Sequence, residues 1–128
     1  MDIVTKKQLN ILIQLAEADK HFAKIEREMI FKIAKERHFP EEMVNDLIRN
    51  PEPIETLGAL SLEQKLEYLM SSIDLIFADQ NIFESELLFC KNIAIKLGFK
   101  KNIIEYFVEH YGKKSREELK QAALKEYV

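Results

Sequence analysis

Residues 18 to 39 of this chain recur, without a gap, sixty positions later. Ala18 falls on Ala78, Asp19 on Asp79 and Glu26 on Glu86. Ile33 falls on Ile93, Ala34 on Ala94 and Phe39 on Phe99. The offset holds on both flanks: Leu15 falls on Leu75, and Met43, Val44, Leu47 and Ile48 fall on Ile103, Ile104, Phe107 and Val108. What recurs is an apolar pattern of helical period, together with one acidic pair, an Asp followed seven residues later by a Glu. A repeat of this length implies two copies of one supersecondary unit that must share a core.

The period of the apolar positions makes each unit three helices. Residues 5–18, 24–37 and 40–49 are the expected helices of the first unit, with Ile25, Met29, Ile30, Ile33 and Ala34 on the inner face of the second. Thr5 and Gln8 have the spacing of a capping box. Leu9, Ile11, Leu12, Ile13, Leu15, Ala16 and Ala18 cover most of the first helix, which predicts a central, buried position. His38 stands where the second copy has Gly98, at the position where a residue of positive φ ends a helix. Pro40 opens the third helix, with Glu41 and Glu42 at the positive end of its dipole. Asn50-Pro51-Glu52-Pro53 breaks it and starts a linker over residues 51–60, with one helical turn at Ile54–Leu57.

In the second unit, Ser61 and Gln64 form another capping box. Leu62, Leu66, Leu69, Ile73 and Ile76 follow at alternating spacings of four and three. Helices over 84–97 and 101–111 end at Gly98 and Gly112, and Ile103, Ile104, Phe107, Val108 and Tyr111 face inward in the latter. Ser115 and Glu118 cap a last helix bearing Leu119, Ala122, Ala123 and Tyr127. No stretch alternates as a strand does. The expected architecture is all-α, a bundle of about seven helices in one domain spanning 1–128: repeat one at 5–50, linker 51–60, repeat two at 61–112 and a C-terminal helix at 115–127. Residues 8–50 and 64–110 should superpose about a pseudo-two-fold axis. Leu12, Ile33, Leu47, Leu66, Ile73, Ile93, Ile104 and Phe107 are the expected core.

Composition narrows the function classes. The net charge of −3 argues against a general affinity for nucleic acid. No apolar run is long enough to span a bilayer, and the polar first ten residues predict no leader. The single Cys90 forms no internal disulfide and fits a reducing, cytoplasmic setting. It lies on an apolar helix face and reads as a small core residue. Residues 41–90 carry eleven acidic and two basic side chains, while residues 91–128 carry nine basic and five acidic. The acidic middle should therefore pack near the basic C-terminal helices. The acidic run Glu41 to Glu67 also lacks local basic partners, so a protein partner or a second copy is expected at the third helix and the linker. Lys113, Lys114 and Arg116 read as a solvated helix start. Neither a phosphate loop nor a zinc motif occurs, and no His follows a Glu by three residues.

The acidic pair carries the remaining chemistry. Asp19 with Glu26, and Asp79 with Glu86, flank the two inter-helix turns, with Glu28 and Glu84 nearby. An Asp before a helix accepts from its free N–H groups, and a first-turn Glu gains from the dipole. If the two turns face each other, four carboxylates converge. They then need a cation or protons to screen them, and oxygen ligands favour Ca²⁺, Mg²⁺ or Mn²⁺. His21 lies in the first of these turns.

An Ala-Asp pair closing a helix, an aliphatic residue three after the Asp, a Glu seven after it and a second copy sixty residues on resemble the TerB-like tellurite-resistance domain. The resemblance covers residues 5–112. It implies an all-helical, internally duplicated fold, with acidic turns that bind a divalent cation in some members. The matching positions are Asp19, Glu26, Asp79 and Glu86. The family places Gly directly after the Asp and Ser or Thr four after it. Here Lys20 and Gln80, then Ala23 and Phe83, stand in those places. Lys20 sets a positive charge beside the first turn, so the second is the better cation site. The resemblance implies a non-enzymatic module serving a stress-response assembly. The residues also allow a protein-interaction or homodimerisation module whose acidic turns are only helix caps.

Overall fold

The structure, a computed structural model, describes residues 3–18, 24–54, 60–78 and 84–127. Among them are seven helices and no strand: α1 (Ile3–Ala16), α2 (Lys24–Glu36), α3 (Glu41–Arg49), α4 (Leu62–Ala78), α5 (Glu84–Leu97), α6 (Ile103–His110) and α7 (Arg116–Glu126). The fold is all-α, as the periodicity predicts. The helical turn expected at Ile54–Leu57 lies largely outside the described residues.

Helices α1 and α4 form the centre. Nine of the fourteen residues of α1 are buried, more than one amphipathic stripe would bury, and so are nine of the seventeen of α4. The reason is their neighbours: α1 packs on α2, α3, α4 and α5, and α4 packs on α1, α2, α5 and α6. Leu9, Leu12, Ile13 and Leu15 of α1, with Leu66, Leu69, Leu75 and Ile76 of α4, lose nearly all contact with solvent. Burial of each such side chain contributes on the order of 1.5–3 kcal/mol.

Exchanging α1 with α4, α2 with α5 and α3 with α6 maps each of the principal packing pairs among these six helices onto another such pair or onto itself. Local details follow the same offset. Helix α2 ends with Phe39 N–H donating to the Ala34 carbonyl at 2.8 Å and His38 N–H donating to Lys35 at 3.1 Å. Helix α5 ends with Phe99 N–H donating to Ala94 at 2.9 Å and Gly98 N–H to Ile95 at 3.0 Å. These are Schellman closures. Both C′ residues have positive φ, 58° at His38 and 93° at Gly98, as expected from their alignment. Phe39 and Phe99 are then turned into the core.

The chain leaving α3 and the chain leaving α6 are both fastened to the first helix of their own half. In the first half, Asn10 Nδ2 and Gln14 Nε2 donate to the Glu52 carbonyl at 2.8 and 2.6 Å, and Glu52 N–H donates to Asn10 Oδ1 at 3.0 Å. In the second half, Asp74, the counterpart of Gln14, accepts from Tyr111 Oη at 3.1 Å and from Arg116 Nη1 at 2.9 Å. Helix α7 is held by the same chemistry. Lys120 pairs with Glu63 at 3.1 Å, and Arg116 lies 3.9 Å from Glu67. The acidic middle thus meets the basic C-terminal helix, as the charge distribution predicts. Within the acidic run Glu41 to Glu67, Glu52, Glu63 and Glu67 find basic partners inside the chain, while Glu41 and Glu42 stay exposed. Arg116 is at the exposed helix start, as expected, and also tethers α7 through its ion pairs.

Two capping boxes form as predicted. Gln64 N–H donates to Ser61 Oγ at 3.1 Å and Ser61 N–H to Gln64 Oε1 at 2.9 Å. Ser115 and Glu118 do the same for α7. The third does not form. Thr5 lies inside α1 and is buried, because the helix already includes Ile3 and Val4, whose carbonyl accepts the Tyr68 hydroxyl. The core prediction holds for Leu12, Leu47, Leu66, Ile73, Ile93, Ile104 and Phe107. Ile33 is only half-buried, because it lines a polar cleft beside α2 rather than the centre. Ile25 and Leu62 sit in first helical turns and project outward. Tyr111 lies at the surface, its ring stacked on Phe77 at 4.1 Å.

Leu66→Ala should cost about 2–5 kcal/mol in a denaturant titration, the range for a large-to-small change in a packed core. The helix ends give a second test. A Cβ at Gly98 would meet nothing within 4 Å, so Gly98→Ala should lose about 1 kcal/mol through backbone strain alone. His38→Gly should gain stability by relieving the same strain at the equivalent turn. Equal melting temperatures for all three proteins would refute the common closure.

Candidate functional site

A carboxylate is almost never fully buried without compensation, since desolvating it costs several kcal/mol. Among the described residues two are buried. Glu26 in the first turn of α2 and Glu86 in the first turn of α5 are each 2% exposed. The first turn of a helix offers unbonded N–H groups and the positive end of the dipole, which favour a negative charge there. The neighbouring Glu84 and Glu28 are exposed. Asp19 and Asp79, the other halves of the two pairs, and His21 lie outside the described residues. The structure therefore places two of the four expected cation ligands, at matching positions and matching depth. Among the described residues, no group of three or more His, Cys, Asp or Glu side chains is gathered as a metal would need.

Cys90 lies one turn beyond Glu86 and is completely buried. Burial first, and then the charge of Glu86, push its thiol pKa well above the ordinary range. The thiolate is the nucleophile. A thiol held protonated inside the core therefore does no nucleophilic chemistry, and Cys90 is the small core residue its position in the sequence suggests.

A second constellation was not visible in the sequence. Between α1, α2, α4 and α7 lies a cleft of about 230 Å³, with Gln8 and Ser71 as its least exposed lining. Gln8 Nε2 donates to Ser71 Oγ at 3.1 Å, and Ser71 Oγ donates to the Tyr68 carbonyl at 2.9 Å. The walls carry a chain of ion pairs. Arg37 lies 3.6 Å from Glu67, Glu67 lies 3.9 Å from Arg116, and Arg116 bonds Asp74. Asp74 and Arg116 also border a smaller apolar cleft floored by Met70, Ile73, Phe107 and Leu119. There, burial and the charge and hydrogen bond of Asp74 raise the pKa of Tyr111, with Arg116 partly offsetting them. Gln8, half of the expected capping box, instead lines this cleft, and Arg116 lines it while remaining exposed. No signal in the sequence marks the cleft, because its lining comes from four helices that only the fold brings together.

Native protein should resist a thiolate-specific reagent, and Cys90 should be modified only as fast as the chain unfolds. Modification in buffer at the rate of a free thiol would contradict its placement. No family model, no curated protein and no solved structure matches this chain.

Proposed function

We propose that the chain is a non-enzymatic, TerB-like helical module built from two three-helix repeats about a pseudo-two-fold axis. In this reading its two acidic turns bind a divalent cation, Ca²⁺, Mg²⁺ or Mn²⁺, through Asp19, Glu26, Asp79 and Glu86, and the module serves a stress-response assembly in the cytoplasm. The observation that carries the reading is the burial of Glu26 and Glu86 to the same 2% at equivalent first turns. Packing alone would not select glutamate twice at such a depth. A cation held jointly with the preceding Asp would add to the first-turn N–H groups that already favour each charge. The exchange symmetry of the helix packing supports the duplication.

A second reading, a protein-interaction or homodimerisation module with the turns as plain caps, has its own observation. Helix α5 exposes Leu88 at 59% and Ile95 at 54%, one heptad apart, where α2 carries Glu28 and Lys35. Leu87, Ile104 and Val108 line a shallow groove beside them.

Thermal melts with and without millimolar Ca²⁺, Mg²⁺ or Mn²⁺ separate the two. A bound ion should raise the melting temperature, by about 2.7 kcal/mol of stability at a hundredfold excess over its Kd. Asp79→Asn and Glu86→Gln should abolish that response. The apo form of Asp79→Asn should be at least as stable as the parent, since Asn still caps and one repelling charge is gone. Asp19→Asn should matter less, because Lys20 already offsets its charge. If no divalent ion shifts the parent and Asp79→Asn melts with it, the turns are caps.

A further inference from the structure

We propose that the polar cleft between α1, α2, α4 and α7 is a binding site for a small zwitterion of the amino-acid class, with an aliphatic side chain. The cleft is lined by the C-terminal half of α2 and not by its first turn, and its lining includes neither Glu26 nor Glu86.

The argument starts from one atom. Among the described residues, Gln8 Oε1 is the buried side-chain polar atom that has no hydrogen-bond partner. Gln8 is 2% exposed and lines the cleft. Leaving such an amide oxygen unpaired costs on the order of 1–3 kcal/mol, so it calls for a donor. Turned over, the amide would leave Nε2 unpaired and call for an acceptor. A ligand carrying both a donor and an acceptor meets either orientation.

The charges of the walls point to the same class. Arg37, Arg116, Glu67 and Asp74 neutralise one another through their ion pairs. Lys32 and Glu36, one turn apart on α2, line the same cleft and make no ion pair among the described residues. The mouth therefore offers one unpaired cation and one unpaired anion, with no net charge to favour a simple anion or cation. An ammonium group at the depth of Gln8 Oε1 would donate to it, and a carboxylate at the mouth would face Lys32. Met29 and Ile33, both half-buried, supply an apolar wall for a short aliphatic chain. At about 230 Å³, the cleft is smaller than the ~300–1,000 Å³ of most drug-sized sites, which suits a molecule of amino-acid size.

The test is a titration of ¹⁵N-labelled full-length protein with L-alanine and L-valine, followed through the Gln8 side-chain amide and the Ser71 backbone signal. Trimethylglycine, which keeps the charges but has no N–H, and isovalerate, which lacks the ammonium, are the controls. Saturable shifts are expected with both amino acids. Each control should bind at least about tenfold more weakly, the size of one lost charge-assisted hydrogen bond. Gln8→Met, which fills the same space without a polar atom, should melt at or above the parent and lose binding by a similar factor. Lys32→Ala, an exposed change that leaves the core intact, should weaken binding in its own right and serves if Gln8→Met does not fold. The proposal is overturned by any of three results: no saturable shift up to about 50 mM amino acid (a Kd weaker than the ~1 mM that corresponds to about −4 kcal/mol), either control binding as tightly as the amino acids, or unchanged affinity in the folded variants. The first would mean that water alone occupies the cleft.

Discussion

The packing of α1 against α4 is the contact on which the rest of the structure depends. Each of these helices is buried on most of its surface, so neither can fold as a stable unit without the other. Their interface is not purely apolar. Ser71 and Ser72 both donate to the Tyr68 carbonyl at 2.9 Å, Gln8 reaches Ser71 and Tyr68 reaches Val4. A buried polar group is costly unless paired, so the two contacts that cross between the helices, Gln8 to Ser71 and Tyr68 to Val4, restrict them to one register. The outer helices then pack into the grooves that this pair presents.

Helix α7 shows how electrostatics and burial divide the work. Its ion pairs to Glu63, Glu67 and Asp74 involve partly exposed side chains, and such pairs contribute little stability individually. Leu119 and Ala123, both buried, hold the helix on the bundle. The pairs fix where it docks, and in doing so they close one wall of the polar cleft. The hydrogen bond from Lys100 N–H to the Tyr127 carbonyl at 2.8 Å fastens its far end.

The two halves share a scaffold but differ in what they present. The face of α5 carrying Leu88 and Ile95 is apolar, whereas the corresponding face of α2 carries Glu28 and Lys35. The chain after α3 is fastened through amides and backbone, the chain after α6 through a carboxylate and an arginine. The buried glutamates recur at matching positions, as do the core and the two helix ends at His38 and Gly98.

By itself the sequence determined the helices, their ends and most of the core. The 3.6-residue period marks which face of each helix is apolar, and local chemistry sets the boundaries: Ser61 and Ser115 cap through neighbours three residues away, and His38 and Gly98 close helices through bonds within one turn. These interactions span few residues and leave their signature in adjacent letters. Thr5 and Gln8 show the limit, for the same spacing lies inside a helix when Val4 has a partner sixty-four residues away. Ile33 shows it again, because whether an apolar residue reaches the centre depends on which helix stands opposite. The depth of Glu26 and Glu86, the tethering of Arg116 to Asp74 and the unpaired oxygen of Gln8 were decided by tertiary structure alone. Each depends on side chains from different helices meeting in space, and local pattern carries no record of that meeting.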